Sequence, residues 1–500
     1  MADYDVIVIG AGVGGVGAGA LLAKQGRKVL VLEQSERVGG CCSTFEKDGY
    51  HFDLGASIIE DAQVMDWLFQ RLGTTLRDEV ELVAPDPAFT VLLGDGSKMK
   101  YPVSIEQSAA EIAKISPEDS KNWIKFCSYM KGFNDAAVKG FFVKPCNTFG
   151  DMVKMFADTP KMLQYPSLFT GSYQAVLNKF FKDEKIKESI SFQAFYAGLP
   201  PELLPGLYAV IPYSEHEGIF YSKGGMIAIP AAMQRAGEKL GMTVKFNTLV
   251  KKVMIKDRRA TGVKLADGTE ITADIIVSDI NAKKLYLDLI GEELLSGMVR
   301  TGVKSYECSM STPTIYLGVD YTPPLESHHT LATIPTEEMN KYWWDEYEQG
   351  RYPDKQWGII SWTTQSDPGL APPGHNVIIL TLGPGPFKLE GTTWEKEKYG
   401  LMERIIKYYS KRYVPGLEEH VKVAEFSTPA DFEKRLLSPE GAIYALRQDV
   451  PHSTVFRPAA KSKSFKGLYL VGASTHPGGG VPVVTASAMN AADLIEKYEK

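Results

Sequence analysis

Val6-Ile7-Val8-Ile9-Gly10-Ala11-Gly12-Val13-Gly14-Gly15 opens the decisive stretch of this chain, and Lys28-Val29-Leu30-Val31-Leu32-Glu33 closes it. Four consecutive β-branched residues without a polar partner read as a short strand buried on both faces, the kind found in parallel sheets. The strand breaks at Gly10. Gly10, Gly12 and Gly15 stand in G-x-G-x-x-G spacing. The first glycine permits a tight turn, the second lets backbone amides approach a pyrophosphate, and the third lets a helix press on the strand. That helix is expected over residues 18–25, with Gly26 as its left-handed stop and its positive amino terminus facing the phosphates. Glu33 ends a second strand, where a carboxylate accepts from a ribose 2′-OH. Strand, turn, helix, strand and acid together specify a dinucleotide-binding βαβ unit.

Residues 6–23 carry no charge, a length that imitates a membrane span or a signal peptide. Their glycine density and the absence of a basic leader argue against both, so the chain is expected to be soluble, cytoplasmic and to begin at its fold. Five hundred residues with 55 Lys+Arg against 61 Asp+Glu give a net charge of −6 and no footprint for nucleic acid. The five cysteines form no C-x-x-C pair, and the eight histidines show no ligand spacing, so neither a disulfide framework nor a metal is expected.

Beyond Glu33, Gln34 and Arg37 lead into Gly39-Gly40-Cys41-Cys42, a second glycine wall for the same cofactor. From about residue 60 to 219 the pattern turns helical and aromatic, with Ser116-Pro117-Glu118-Asp119 as a helix start. The aromatics between Phe141 and Tyr221 read mainly as core, with some lining a cavity. After Gly224-Gly225, strands resume around Val244, from Val250 and from Thr261, and Asp274-Ile275-Ile276-Val277 reads as another buried parallel strand. A second helical and stranded region precedes the closing segment. The reading is an α/β protein: a Rossmann-like nucleotide domain in three pieces (1–65, 220–290, 440–500) with an α+β substrate domain inserted as 66–219 and 291–439.

The end of the chain carries the complementary signature. A last strand runs into Gly472, and Ala473-Ser474-Thr475-His476-Pro477-Gly478-Gly479-Gly480-Val481-Pro482 forms a shaped loop before the helix expected over 484–497. Amides and helix dipole there can hold the negative N1–O2 edge of a reduced flavin. The expected cofactor contacts are Gly10, Gly12, Gly14, Gly15, Glu33, Gln34, Arg37, Gly39, Gly40, Cys41, Val250, Gly472, Ala473, Pro477, Gly480 and Val481. Glu215 and His216 are weak catalytic candidates, expected to lie in a solvated turn, and His476 is the preferred flavin neighbour.

Residues 467–487 resemble the bacterial-type phytoene desaturase signature, with Gly479 as the departure. Residues 201–226, Thr428-Pro429-Ala430-Asp431-Phe432 and Phe456-Arg457-Pro458 resemble further blocks of that family. Gly39-Gly40-Cys41-Cys42 departs from its usual Gly-Gly-Arg and is more similar to retinol saturase, and carotenoid isomerases are similar here too. The resemblance implies non-covalent FAD, a long apolar polyene drawn from a membrane on which the protein docks peripherally, and chemistry at flavin N5. Desaturation is the leading expectation. Reductive saturation or redox-neutral isomerisation of a polyene, small-amine oxidation, and a flavin-free prenyl-protein chaperone resembling Rab GDP-dissociation inhibitors are the alternatives.

Overall fold

The computed structural model describes residues 2–499 apart from Asp61, residues 138–139, residues 141–143 and Asn147. Strand β1 (Tyr4–Ile9), helix α1 (Val13–Lys24) and strand β2 (Val29–Leu32) build the expected unit. β1 lies between β2 and the strand Glu270–Ser278, pairing Val6 with Val29 on one side and Val6 with Ile275 on the other, all parallel. Thr243–Lys245 extends the sheet beyond β2, and Leu468–Leu470 pairs with the carboxyl end of Glu270–Ser278. Three separated pieces of chain therefore share one sheet.

Alternation along β1 explains its uninterrupted hydrophobicity. Val6 and Val8 pack on one face with α1, Ala228–Lys239 and the closing helix Val481–Tyr498, whereas Ile7 and Ile9 face Leu285, Leu289 and Val303 on the other. The uncharged run also has a soluble explanation. Every residue from Val13 to Ala23 is buried, and a Cβ on Gly19 would stand 2.8 Å from Met242 Sδ and 3.1 Å from Val31 Cγ2. Small residues let the helix sit directly on the sheet. Among the described residues no helix is long and apolar enough to cross a membrane.

The two inserted stretches meet in a second, seven-stranded sheet ordered Val421–Ser427, Thr314–Val319, Asn376–Leu382, Gly358–Trp362, His329–Ala332, Phe89–Leu92, Lys98–Tyr101. Its one parallel joint, Thr330 beside Thr90, is where the insertions pair. Helix Trp394–Arg412 covers one part of it through Ile405 and Tyr409. An aromatic cluster that includes Trp123, Phe126, Phe133, Tyr173, Phe192 and Trp357 fills the helical part. Two elements fall outside the expected boundaries at 65 and 290. Helix α2 (Ala62–Leu72) packs against α1 and the closing helix, and Val299 and Val303 of Gly297–Ser305 join the nucleotide-side core. The closing helix also begins at Val481, three residues before the expected 484.

Candidate functional site

A cavity of about 740 Å3 runs along the carboxyl end of the parallel sheet and into the space beneath the second sheet. Such sheet ends collect ligands because loops there converge and helix amino termini point inward. Gly10, Gly12, Gly14, Glu33, Gln34, Arg37, Gly39, Gly40, Cys41, Val250, Gly472, Ala473, Gly480 and Val481 line it. Gly15 and Pro477 do not. Gly15 stands behind the wall, where a Cβ would collide with the Gly10 carbonyl, so its role is the helix–strand contact.

The two glycine walls are joined by backbone. The Gly39 amide donates to the Ala11 carbonyl at 2.8 Å, and Gly39 at φ +117° and Gly40 at φ +56° turn the chain so that Gly40 approaches Gly12. Glu33 is 8% exposed, and its carboxylate accepts from the Ala11 and Ser35 amides, each at 2.8 Å. These bonds hold the acid at the cavity wall rather than in solvent. Gln34 is tethered to the Arg435 carbonyl at 2.7 Å, and Arg37 pairs with Glu36 at 2.7 Å. At the opposite end Gly480, φ +125°, precedes the closing helix, no side chain among the described residues caps it, and Gly480 and Val481 both line the cavity. Buried Arg457 fastens this loop by donating to the carbonyls of Ala473, Leu446, Arg447 and His452.

The residues present fit a flavin dinucleotide: an acid at a ribose position, side-chain-free backbone where a pyrophosphate needs close approach, and uncapped amides at the far end. Glu33→Gln should weaken FAD by about 1–3 kcal/mol, because a charge-assisted acceptor becomes a neutral one. Titration of apoprotein with FAD, followed by flavin fluorescence, checks this, and unchanged affinity would remove Glu33 from the ribose.

Three expectations are corrected. Glu215 is not in a solvated turn: it is 1% exposed, receives a hydrogen bond from Gln193 Nε2, and burial together with Glu60 holds its carboxyl far above the usual range. His216 Nδ1–H donates to the Val103 carbonyl (2.6 Å), its ring meets Trp123 edge-on, and burial lowers its pKa. Neither lines the cavity. His476, expected as a flavin neighbour, is buried and is not among the residues that line the cavity. Cys41 does line it, with its thiol raised by burial, and Cys42 beneath it is buried.

Sequence reasoning missed Asp279, which follows the strand Glu270–Ser278 at its carboxyl end. That position at a ligand-collecting sheet end was the signal. The Gly12 and Gly15 amides donate to its carboxylate, and burial, reinforced by Glu33, pushes its pKa up to about 7. A folded-state pKa above the unfolded value of 3.8 means that the native state binds more protons between these limits. Stability from this group is thus complete below about pH 4 and is lost as pH rises through about 7. Cofactor-free protein should melt at lower temperature at pH 8 than at pH 5, and Asp279→Asn should flatten that slope. A slope unaltered in the variant would show that Asp279 is not its source.

Comparison with known proteins agrees with this geometry. The family model described as flavin containing amine oxidoreductase matches residues 13–496. A 4,4'-diapolycopene oxygenase from Methylomonas is 29% identical over 99% of this chain and 98% of its own length. The neurosporene-forming phytoene desaturase of Cereibacter sphaeroides is 30% identical over 97% and 93%. Among solved structures, an oxidoreductase from Methanosarcina mazei superposes with a TM-score of 0.65 at 18% identity, covering 98% of this chain and 99% of that one, which is a likeness of fold. With a family match across nearly its whole length, the chain belongs to the flavin containing amine oxidoreductase family.

Proposed function

We propose that this protein is an oxidoreductase that holds FAD non-covalently and desaturates a long apolar isoprenoid polyene. One observation carries the reading: the cavity lined by Glu33 and the glycine walls is also lined by Phe192, Phe195, Tyr196, Leu207, Ile211 and Trp357. A ligand with one polar nucleotide end and a separate apolar reactant suits such a space. The names of the diapolycopene and phytoene enzymes support the same substrate class for this chain.

Bound FAD supplies a two-electron acceptor for hydride. The chain's own residues do the rest. Gly10, Gly12, Gly14, Gly39 and Gly40 keep side chains out of the pyrophosphate path, and Glu33 takes the ribose hydroxyl. The aromatic half excludes water and aligns the polyene, so orientation supplies much of the rate. Amides at Gly480 and Val481, at the uncapped start of the closing helix, would offer donors to negative charge at that end of the cofactor. A flavin-free chaperone would have no use for this nucleotide end.

Anaerobic mixing of the yellow holoenzyme with phytoene, lycopene and retinol tests the proposal. Bleaching of the flavin band by phytoene supports desaturation. Bleaching by none of the three contradicts it, and reoxidation of pre-reduced enzyme by lycopene or retinol would support saturation instead.

We further propose peripheral membrane docking, since an insoluble polyene must arrive without crossing water. Phe149, Val153 and Leu163 are each more than 60% exposed, and Phe456, more than half exposed, lies on the segment Thr454–Phe456 that packs against the helix Phe149–Asp158. Phe141, at the start of the aromatic stretch, lies outside the described residues. Flotation with neutral liposomes should succeed and be insensitive to salt, and Phe149→Ser with Val153→Ser should abolish it. Failure of the wild-type protein to float would contradict docking.

A further inference from the structure

The polyene half of the cavity contains a proton-accepting pair that the glycine signatures do not announce. His329 is the only histidine among the described lining residues, and its Nε2 lies 2.7 Å from Ser57 Oγ, which lines the same space. Ser361 Oγ donates to Ser57 Oγ at 3.2 Å. With that bond accepted, the Ser57 hydroxyl turns its own proton to His329 Nε2, giving a chain Ser361 to Ser57 to His329. Neighbouring His328 fixes the serine's backbone: its Nε2–H donates to the Ser57 carbonyl at 3.0 Å while Nδ1 accepts from Ser366 Oγ at 2.8 Å. His329 is 2% exposed, and its Nδ1 has no hydrogen-bond partner among the described residues.

We infer that Ser57 and His329 form the proton acceptor of the reaction proposed above, on which this assignment rests. When a saturated pair of carbons becomes a double bond, one C–H leaves as hydride to the bound oxidised flavin. The neighbouring C–H then breaks, its electron pair becomes the new π bond, and its proton passes to Ser57 Oγ as the serine's own proton moves to His329 Nε2. No carboxylate faces Nδ1, and burial beside His328 keeps the ring neutral at rest. A weak base suffices here, because a carbon next to a developing allylic cation is strongly acidic. The protonated ring is costly in this dry site, so it releases its proton before the next turnover.

Other titratable groups on this half are less suited. Burial holds the phenols of Tyr196, Tyr208 and Tyr444 protonated. Glu60, with Ser214 Oγ at 3.4 Å, is the rival carboxylate base among the described residues of this half.

Stopped-flow bleaching of holoenzyme by a polyene that reduces the wild-type flavin decides between them. Ser57→Ala and His329→Gln should each slow bleaching at least a hundredfold, the scale of general base catalysis. Polyene affinity, read from quenching of tryptophan emission with Trp357 on the cavity wall, should stay within about threefold in Ser57→Ala. His329→Ala should recover rate with added imidazole, and recover more with more basic imidazoles. Bleaching at wild-type rate in both variants, affinity lost in step with rate, or a hundredfold loss confined to Glu60→Gln would each overturn the assignment. A wild-type enzyme bleached by no polyene would instead bring down the proposed function on which it stands.

Discussion

Gly12→Val should yield a folded protein with no yellow colour. A Cβ at position 12 meets only the Asp279 carboxylate, a side chain able to swing away, so the apoprotein has a route to relieve the clash. The valine then fills the path in which a pyrophosphate needs bare backbone. Flavin retention should fall below detection while the melting temperature stays near that of wild-type apoprotein. Gly15→Val makes the contrast, because its Cβ collides with the Gly10 carbonyl inside the turn itself, and the fold should suffer along with the flavin. A Gly12→Val protein purified with full colour would refute the cradle.

The second large effect belongs to the closing loop. Gly480 sits at φ +125°, a conformation costly for any side chain, and directly precedes the uncapped amides of the last helix. Replacing it with valine should displace those amides and slow flavin reduction about a hundredfold, the scale of a lost oxyanion donor. FAD affinity, set mainly at the Glu33 end, should change less. Glu215→Gln and His216→Ala, both off the cavity wall, should cost little in the same assay. Equal losses in FAD binding and in reduction rate for Gly480→Val would show that the loop only anchors the cofactor.

The nucleotide end was legible because its information is local. A β-branched run, glycines at fixed offsets and an acid at the end of the next strand all lie within thirty residues, and each has one backbone consequence. Glu33 follows the second strand at the cavity wall, held there by the Ala11 and Ser35 amides, which a reading of residue types could not foresee. The second sheet was legible only as scattered strands. Its register depends on pairings such as Thr330 with Thr90, 240 positions apart, and nothing in either strand specifies the other. A separation of 272 positions likewise hid His329 from Ser57, so a histidine that looked like one of a scattered eight proved to face the cavity. Glu215 misled for the opposite reason: its polar neighbours His216 and Glu217 suggested a solvated turn, whereas tertiary packing buried it beside Gln193.

The claim on which all of this stands is that the two glycine-rich ends close around one non-covalent FAD. The purified protein should show the paired visible bands of oxidised flavin, and acid precipitation should leave a white pellet and a yellow supernatant containing about one FAD per chain. A colourless protein, colour retained in the pellet, or release of a flavin mononucleotide in place of FAD would contradict it.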